Sequence, residues 1–136
     1  MKKPTYDSVD MECRRASPTQ RQYFEECKRV GSKSFLTHKH GCVLVKKGQI
    51  ISKGFNFRLP ETIAHNSNVP SIHAEISALN GIKKETVQDS DMYVVRVDPS
   101  CRQRVRYSKP CPHCSFIINK VGIRNVYYSI NQLIEE

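Results

Sequence analysis

From Thr19 to Val30, the apolar positions Tyr23, Phe24, Cys27 and Val30 recur three and four residues apart. That interval places them on one face of a helix. Ser17 stands where an N-cap is needed and Gly31 where a helix stops, so the pattern predicts a helix over this span. The period then changes. Cys42–Lys46 and Gln49–Phe57 read as strands, and Lys47-Gly48 between them predicts a tight hairpin turn. Arg58 to Pro70 holds two prolines, two asparagines and His65, and reads as a loop. Ile72, Ala74, Ile76, Ala78 and Leu79 predict a second helix, capped by Ser71 and stopped by Gly81. Met92–Val97 is a nearly unbroken apolar run, as expected of a central strand. Asp98–Lys109 is polar. Another helix is expected from Cys111 to about Val121, entered through Pro110 and Pro112, and Arg124–Ser129 supplies a fourth strand.

Strands alternating with helices predict a three-layer α/β/α domain with a mixed central sheet and helices on both faces. The opening pair should be antiparallel and the later crossovers parallel. Residues 1–16 show no apolar period and are expected to form an N-terminal arm, possibly flexible, ahead of a single domain over 17–136. A chain of 136 residues is enough for one core.

Charge adds a hint about partners. Lys and Arg number 22 against 13 acids, a formal net charge of +9. The first 58 residues hold 13 of those cations and only 5 of the acids. Such an excess favours anionic partners, nucleotides or nucleic acid, unless it is simply a solvated surface. No apolar run is long enough to span a membrane, and Lys2-Lys3 does not lead into a secretory signal. The six cysteines are scattered and do not frame a small disulfide scaffold, so a reducing, cytoplasmic (intracellular) setting is expected. Cys27 and Cys42 fall on apolar faces and read as small core residues.

The chemistry concentrates in two short segments, His73-Ala74-Glu75 and Pro110-Cys111-Pro112-His113-Cys114. His73, Cys111 and Cys114 offer three zinc ligands, the number that leaves a catalytic site one open position. A water there becomes acidic, its pKa falling from about 15.7 toward roughly 7–9. Two thiolates weaken the metal as a Lewis acid, so a nearby base is useful, and Glu75 supplies one. On a helix, positions two apart differ by about 200°, which sets Glu75 apart from His73 as a non-ligand. Cys111 and Cys114 share a face, and a helix entry favours their thiolate forms. His113 should point away. A closed structural site, with Cys101 or His113 as fourth ligand, is the rival reading, but it leaves Glu75 unexplained.

The pattern H-x-E followed by P-C-x-x-C resembles the zinc-dependent cytidine/deoxycytidylate (CMP/dCMP) deaminase superfamily. The likeness extends from roughly Thr19 to Ser129 and includes the hairpin ending in Gly54-Phe55-Asn56. It implies a cytidine-deaminase-like fold and zinc held by His73, Cys111 and Cys114. It also implies that Glu75 shuttles protons while zinc-activated water attacks C4 of cytosine or C6 of adenine. Asn56 would bind the sugar, with a structural turn asparagine as the alternative. The amide of Ala74 and the carbonyl of Pro110 would touch the base. Phe55 and Phe57 either wall the base pocket or pack in the core.

His73 and Cys111 stand 38 positions apart, more than in compact members of the family. The excess falls on a basic segment that holds Arg102, Arg104, Arg106 and Lys109. This segment either contacts phosphate or forms a solvated bulge or extended hairpin. Tyr107 either stacks on a base or packs. The loop ahead of His73 offers only His65, too little for a second zinc. No C-terminal helix like that of bacterial-type tRNA adenosine deaminases is evident, nor the Ser-Trp-Ser before Pro-Cys of polynucleotide cytosine deaminases. With no further strand in view to cover the sheet edge, homo-oligomerisation is expected. The leading expectation is hydrolytic deamination of dCMP or CMP to the uracil nucleotide with release of ammonia. A polynucleotide deaminase acting on tRNA adenosine or single-stranded cytosine is the alternative, and a non-enzymatic zinc- or nucleic-acid-binding module the third.

Overall fold

The computed structural model describes residues 17–59, 71–98 and 101–130, and of 101–104 the backbone alone. The expected N-terminal arm and most of the loop containing His65 lie outside the described residues. The first helix, α1, runs Pro18–Gly31. Its capping box is complete: Ser17 Oγ accepts from Gln20 N at 3.1 Å, and Ser17 N donates to Gln20 Oε1 at 3.0 Å. Strands β1 (Lys39–Lys46) and β2 (Gln49–Phe55) form the expected antiparallel hairpin. Lys47 and Gly48 both have positive φ, 52° and 76°, the type I′ geometry that matches the twist of paired strands.

Two short strands follow, β3 (Phe57–Arg58) and β4 (Ser71–Ile72), which pair with each other. Helix α2 (Ala74–Leu79) begins only after them. Ser71 is therefore not the helix cap. It is taken into strand pairing, and His73 becomes the N-cap in extended conformation, with no side-chain capping bond. A short helix α3 (Lys84–Val87), not evident from periodicity, leads to β5 (Asp91–Asp98). Then come β6 (Cys101–Arg106), α4 (Pro112–Val121) and β7 (Asn125–Tyr128).

The sheet is mixed, in the order β2-β1-β5, and β5 shares its far edge between two strands. Along Asp91–Val94 the partner is β7, parallel; along Arg96–Asp98 it is β6, antiparallel. The polar segment before Cys111 thus forms a strand, in line with its extended-hairpin reading. A hydrogen-bonded serine pair closes the junction between the two partners. Ser108 Oγ donates to Val94 O at 2.9 Å and lies 2.8 Å from Ser129 Oγ. Ser129 Oγ donates to Arg106 O at 2.6 Å, and Ser108 N donates to Ser129 O at 2.9 Å. Both serines are buried, and the backbone groups that neither ladder serves find partners here.

Alternation along β1 and β5 builds the three layers. On one face Val43, Val45, Tyr93, Val95 and Val97 pack with Phe24 and Cys27 of α1. On the other, Cys42, Leu44, Met92 and Val94 pack with Ala74, Ala78, Cys114 and Ile118 of α2 and α4. Each fully buried Val, Leu or Phe side chain contributes about 1.5–3 kcal/mol relative to exposure. Gly54 lets α2 approach: a Cβ there would stand 2.4 Å from Ala78 N and 2.8 Å from Ala74 O. Close packing of β2 on α2 thereby holds the start of α2 against the sheet.

Candidate zinc and catalytic site

His73 and Cys111 occupy the N-cap positions of α2 and α4, and Cys114 lies in the first turn of α4. Both helices pack on the same face of the sheet, which brings the two motifs together. His73 Nδ1 lies 3.2 Å from Cys114 Sγ and 3.7 Å from Cys111 Sγ. The three candidate ligand atoms all fall within 4.8 Å of one another. A tetrahedral zinc with Zn–S near 2.3 Å and Zn–N near 2.0 Å needs ligand atoms roughly 3.5–3.8 Å apart. The cluster therefore fits zinc, with one position left to solvent or substrate. Among the described residues no fourth His, Cys, Asp or Glu joins it. His113 is exposed and outside the cluster, as its place on the helix predicts. The side chain of Cys101 lies outside those described.

Burial changes the expected protonation of one thiol. Cys114 is fully buried, and burial first, then the charge of Glu75, pushes its pKa up. The helix entry does not prevail at that sulfur. Metal binding must displace the Cys114 proton, so zinc affinity and proton release are linked there.

A cleft of about 360 Å³ opens beside these ligands, and His73, Ala74, Glu75 and Cys111 all line it. Glu75 is only 4% exposed, and burial raises its pKa to about 7. Asn56 lines the cleft as well, but its side chain is already at work. Its Oδ1 accepts from His40 N at 2.9 Å and its Nδ2 donates to His38 O at 2.6 Å. Asn56 thus has the structural role among its two readings, pinning the start of β1, and these bonds leave its side chain one N–H and one lone pair. Pro110 is buried, and its carbonyl accepts from Ser115 Oγ at 3.3 Å.

The basic segment divides. Lys109 lines the cleft; Arg106 does not, and its Nε lies 3.3 Å from Asp98 Oδ2. The side chains of Arg102 and Arg104 lie outside those described. Tyr107 is half exposed and meets Tyr128 edge-on at 5.6 Å. Phe55 and Phe57 do not line the cleft. They contact each other edge-on, and Phe57 borders a separate apolar groove with Ile72, Ile76 and Ile117. The cleft wall comes instead from Leu36, Thr37, His38 and His40. None of these four stood out in the sequence, because neither the loop before β1 nor the first residues of that strand have a periodicity that would aim them at the zinc ligands.

A three-layer α/β/α sheet with a His/Cys/Cys cluster at two helix entries defines a zinc-dependent hydrolase site of the deaminase class. Residues 17–130 match the cytidine and deoxycytidylate deaminase zinc-binding region, and the chain belongs to that family. No curated protein matches it. Among solved structures, the dCMP deaminase of cyanophage S-TIM5 superposes with a TM-score of 0.57 at 22% identity, covering 79% of each chain. Cytidine deaminase from Burkholderia pseudomallei gives 0.52 at 18% identity, over 75% of this chain and 76% of that one. Guanine deaminase from Bacillus subtilis gives 0.51 at 21%, over 81% and 63%. At such identities the likeness speaks for the fold. Among the described residues, no helix is long and apolar enough to cross a membrane.

Proposed function

We propose that the protein hydrolyses the exocyclic amine of a cytosine nucleotide, dCMP or CMP, giving the uracil nucleotide and ammonia. The observation behind this reading is that Glu75, a buried carboxyl that burial makes easy to protonate, lines the same cleft as His73 and Cys111. Zinc bound by His73, Cys111 and Cys114 would supply the Lewis acidity that activates water. Glu75 would take a proton from water and hand it to the ring nitrogen, then take the proton of the hydroxyl added at C4 and deliver it to the departing amine, leaving the C4 carbonyl and ammonia. A carboxyl that holds or gives up a proton near neutrality suits both tasks. The Ala74 amide, in the unpaired first turn of α2, and the Pro110 carbonyl are the groups we assign to orienting the base. Asn56 would contact the sugar through its remaining donor and acceptor.

The mononucleotide preference draws on the small volume of the cleft, about 360 Å³, and on Lys109 and the histidines His38 and His40 around it. The relative from cyanophage S-TIM5 has also been solved in complex with dCMP and dUMP. A polynucleotide substrate is the second reading. Phe35 is 98% exposed on the loop whose next residues, Leu36 and Thr37, line the cleft. A bare aromatic in that place suits stacking on a neighbouring base of a single strand. Incubating the zinc-loaded protein with dCMP, CMP, cytidine, and short DNA and RNA strands while measuring ammonia separates the readings. Release from dCMP or CMP supports the first. Release from strands alone transfers the assignment to the second, and no release from any of them sinks both.

A further inference from the structure

Cys111 and Cys114 form a C-x-x-C pair at the start of a helix, and the two thiols differ in access. Cys111, the N-cap of α4, is partly exposed and lines the open cleft. Cys114 follows in the first turn, fully buried against the apolar core behind it. The two sulfurs lie 3.7 and 3.2 Å from His73 Nδ1, and all three atoms fall within 4.8 Å of one another. The turn is preformed: Cys111 is extended, with φ −68° and ψ 165°, and the ring of Pro112 fixes the first helical residue. Residues three apart at a helix entry fall within the Cα separation that a disulfide spans, roughly 4.4–6.8 Å. Rotating the two side chains toward each other can therefore join the sulfurs while the backbone stays in place.

Thiol–disulfide exchange needs one sulfur that a soluble reagent can reach and a second, shielded from the reagent, close enough to displace it. This pair supplies both. Among the described side chains, Cys111 is the one cysteine that solvent reaches. Cys27 and Cys42 are fully buried on opposite faces of the sheet, and Cys27 Sγ donates to Tyr93 O. Neither can meet a reagent or the other thiol without unfolding.

We propose that Cys111 and Cys114 are also a redox pair, which a small soluble disulfide such as oxidised glutathione closes into an intramolecular disulfide, emptying the zinc site. The Cys111 sulfur attacks one sulfur of the reagent, breaking its S–S bond and releasing one thiolate, which takes a proton from solvent. Cys114 then attacks Cys111 Sγ and expels the second thiolate, which is protonated in turn. The two cysteines together lose two electrons, and the reagent gains them as two thiols. A disulfide sulfur is no longer a thiolate donor, so two of the three protein ligands vanish in one event and His73 is left alone. The new bond joins residues of a single turn, so α4 keeps its place and a reductant restores both donors. The device depends on the zinc ligands and not on which base or nucleotide enters the cleft.

The test uses the zinc-loaded full chain with Cys13→Ser and Cys101→Ser, which silence the two cysteines whose side chains lie outside those described. It is incubated with oxidised glutathione while a colorimetric chelator follows zinc and peptide mass mapping follows the thiols. Zinc should appear in step with a Cys111–Cys114 disulfide, one ion for each bond formed. The oxidised chain should still melt cooperatively, and dithiothreitol with added zinc should return the metal. In chelator-stripped protein, Cys114→Ser should stop at a glutathione adduct on Cys111, and Cys111→Ser should take up none, because Cys114 is sealed. The proposal is overturned if the loaded protein keeps its zinc and both thiols, or if zinc leaves without that disulfide. It also falls if Cys111 stays glutathionylated beside a reduced Cys114, if the oxidised chain no longer melts cooperatively, or if Cys114 reacts as readily as Cys111 in the single variants. No readout here involves turnover, so failure of the ammonia assay would refute the proposed activity and leave this pair standing.

Discussion

Glu75 and Cys114 sit within one small cluster, yet their removal should have opposite signatures. Glu75→Gln keeps the shape and the buried hydrogen-bonding capacity but cannot take a proton from water. Zinc content should stay at the wild-type level while kcat falls by about 10²–10⁴-fold, the range of a lost general acid–base. Near-normal turnover in the metal-replete variant would remove Glu75 from the mechanism. Cys114→Ser deletes a fully buried sulfur ligand and leaves a hydroxyl that zinc binds poorly. The purified variant should carry little zinc and melt at a lower temperature, and added zinc should recover little of the loss. A variant with full metal content would argue against Cys114 as a ligand. These residues were legible in the sequence because each motif is local: three or four positions fix His73 against Glu75, and Cys111 against Cys114. The cleft walls Leu36 and Thr37, and the hydrogen bonds of Asn56 to His38 and His40, depend on strand register and a loop path. No short spacing encodes those.

Among the elements, α1, the first hairpin, β5, α4 and β7 were readable because each has its own period and stop signal. Ser17, Gly31 and Gly48 mark ends that the structure keeps. Strand β4 was not, since strand pairing overrode local preference, and β6 was legible only as one of two readings of its segment. Ser71 looks like a helix cap but pairs with Arg58, and the charged β6 is held by its ladder with β5 and by Ser108 and Ser129. That serine pair carries a prediction for the element leading into Cys111. Ser108→Ala removes a hydroxyl that donates to Val94 O and accepts from Ser129 N, leaving those two groups only their mutual 3.1 Å bond. It should destabilise the fold by about 0.5–1.5 kcal/mol. Because Cys111 lies three residues on, zinc retention under chelator challenge should fall with it. Urea melts and timed zinc release by the two proteins test this together. Unchanged stability would mean that the junction between β6 and β7 is held by the strands alone.

Over the whole molecule, the layers are joined by apolar burial almost everywhere, and a charged tie at the surface supplements it. Glu26 of α1 pairs with Arg29 on its own helix and reaches Lys53 of β2 at 2.7 Å, linking the helix layer to an edge of the sheet. The hydrogen bonds from Arg29 and then Lys53 hold the Glu26 carboxyl at about pH 2, below its ordinary value of 4.5. A carboxyl depressed by folding stabilises the native state above its unfolded pKa, and that contribution fades as pH falls toward the folded one. The window is therefore pH 4.5 down to about 2, with the full effect present at neutrality. Solvent reaches Arg29 and Lys53, so the effect is modest, about 1 kcal/mol or less. Zinc loss and protonation of other carboxylates destabilise the chain over the same range, so the wild-type curve alone does not isolate Glu26. The difference from Glu26→Gln does, since both proteins share every other titration. Wild type should be the more stable at pH 7, and the gap should close as the pH approaches 2. A gap that persists unchanged through that interval would show that packing at position 26, and not its charge, joins α1 to the sheet.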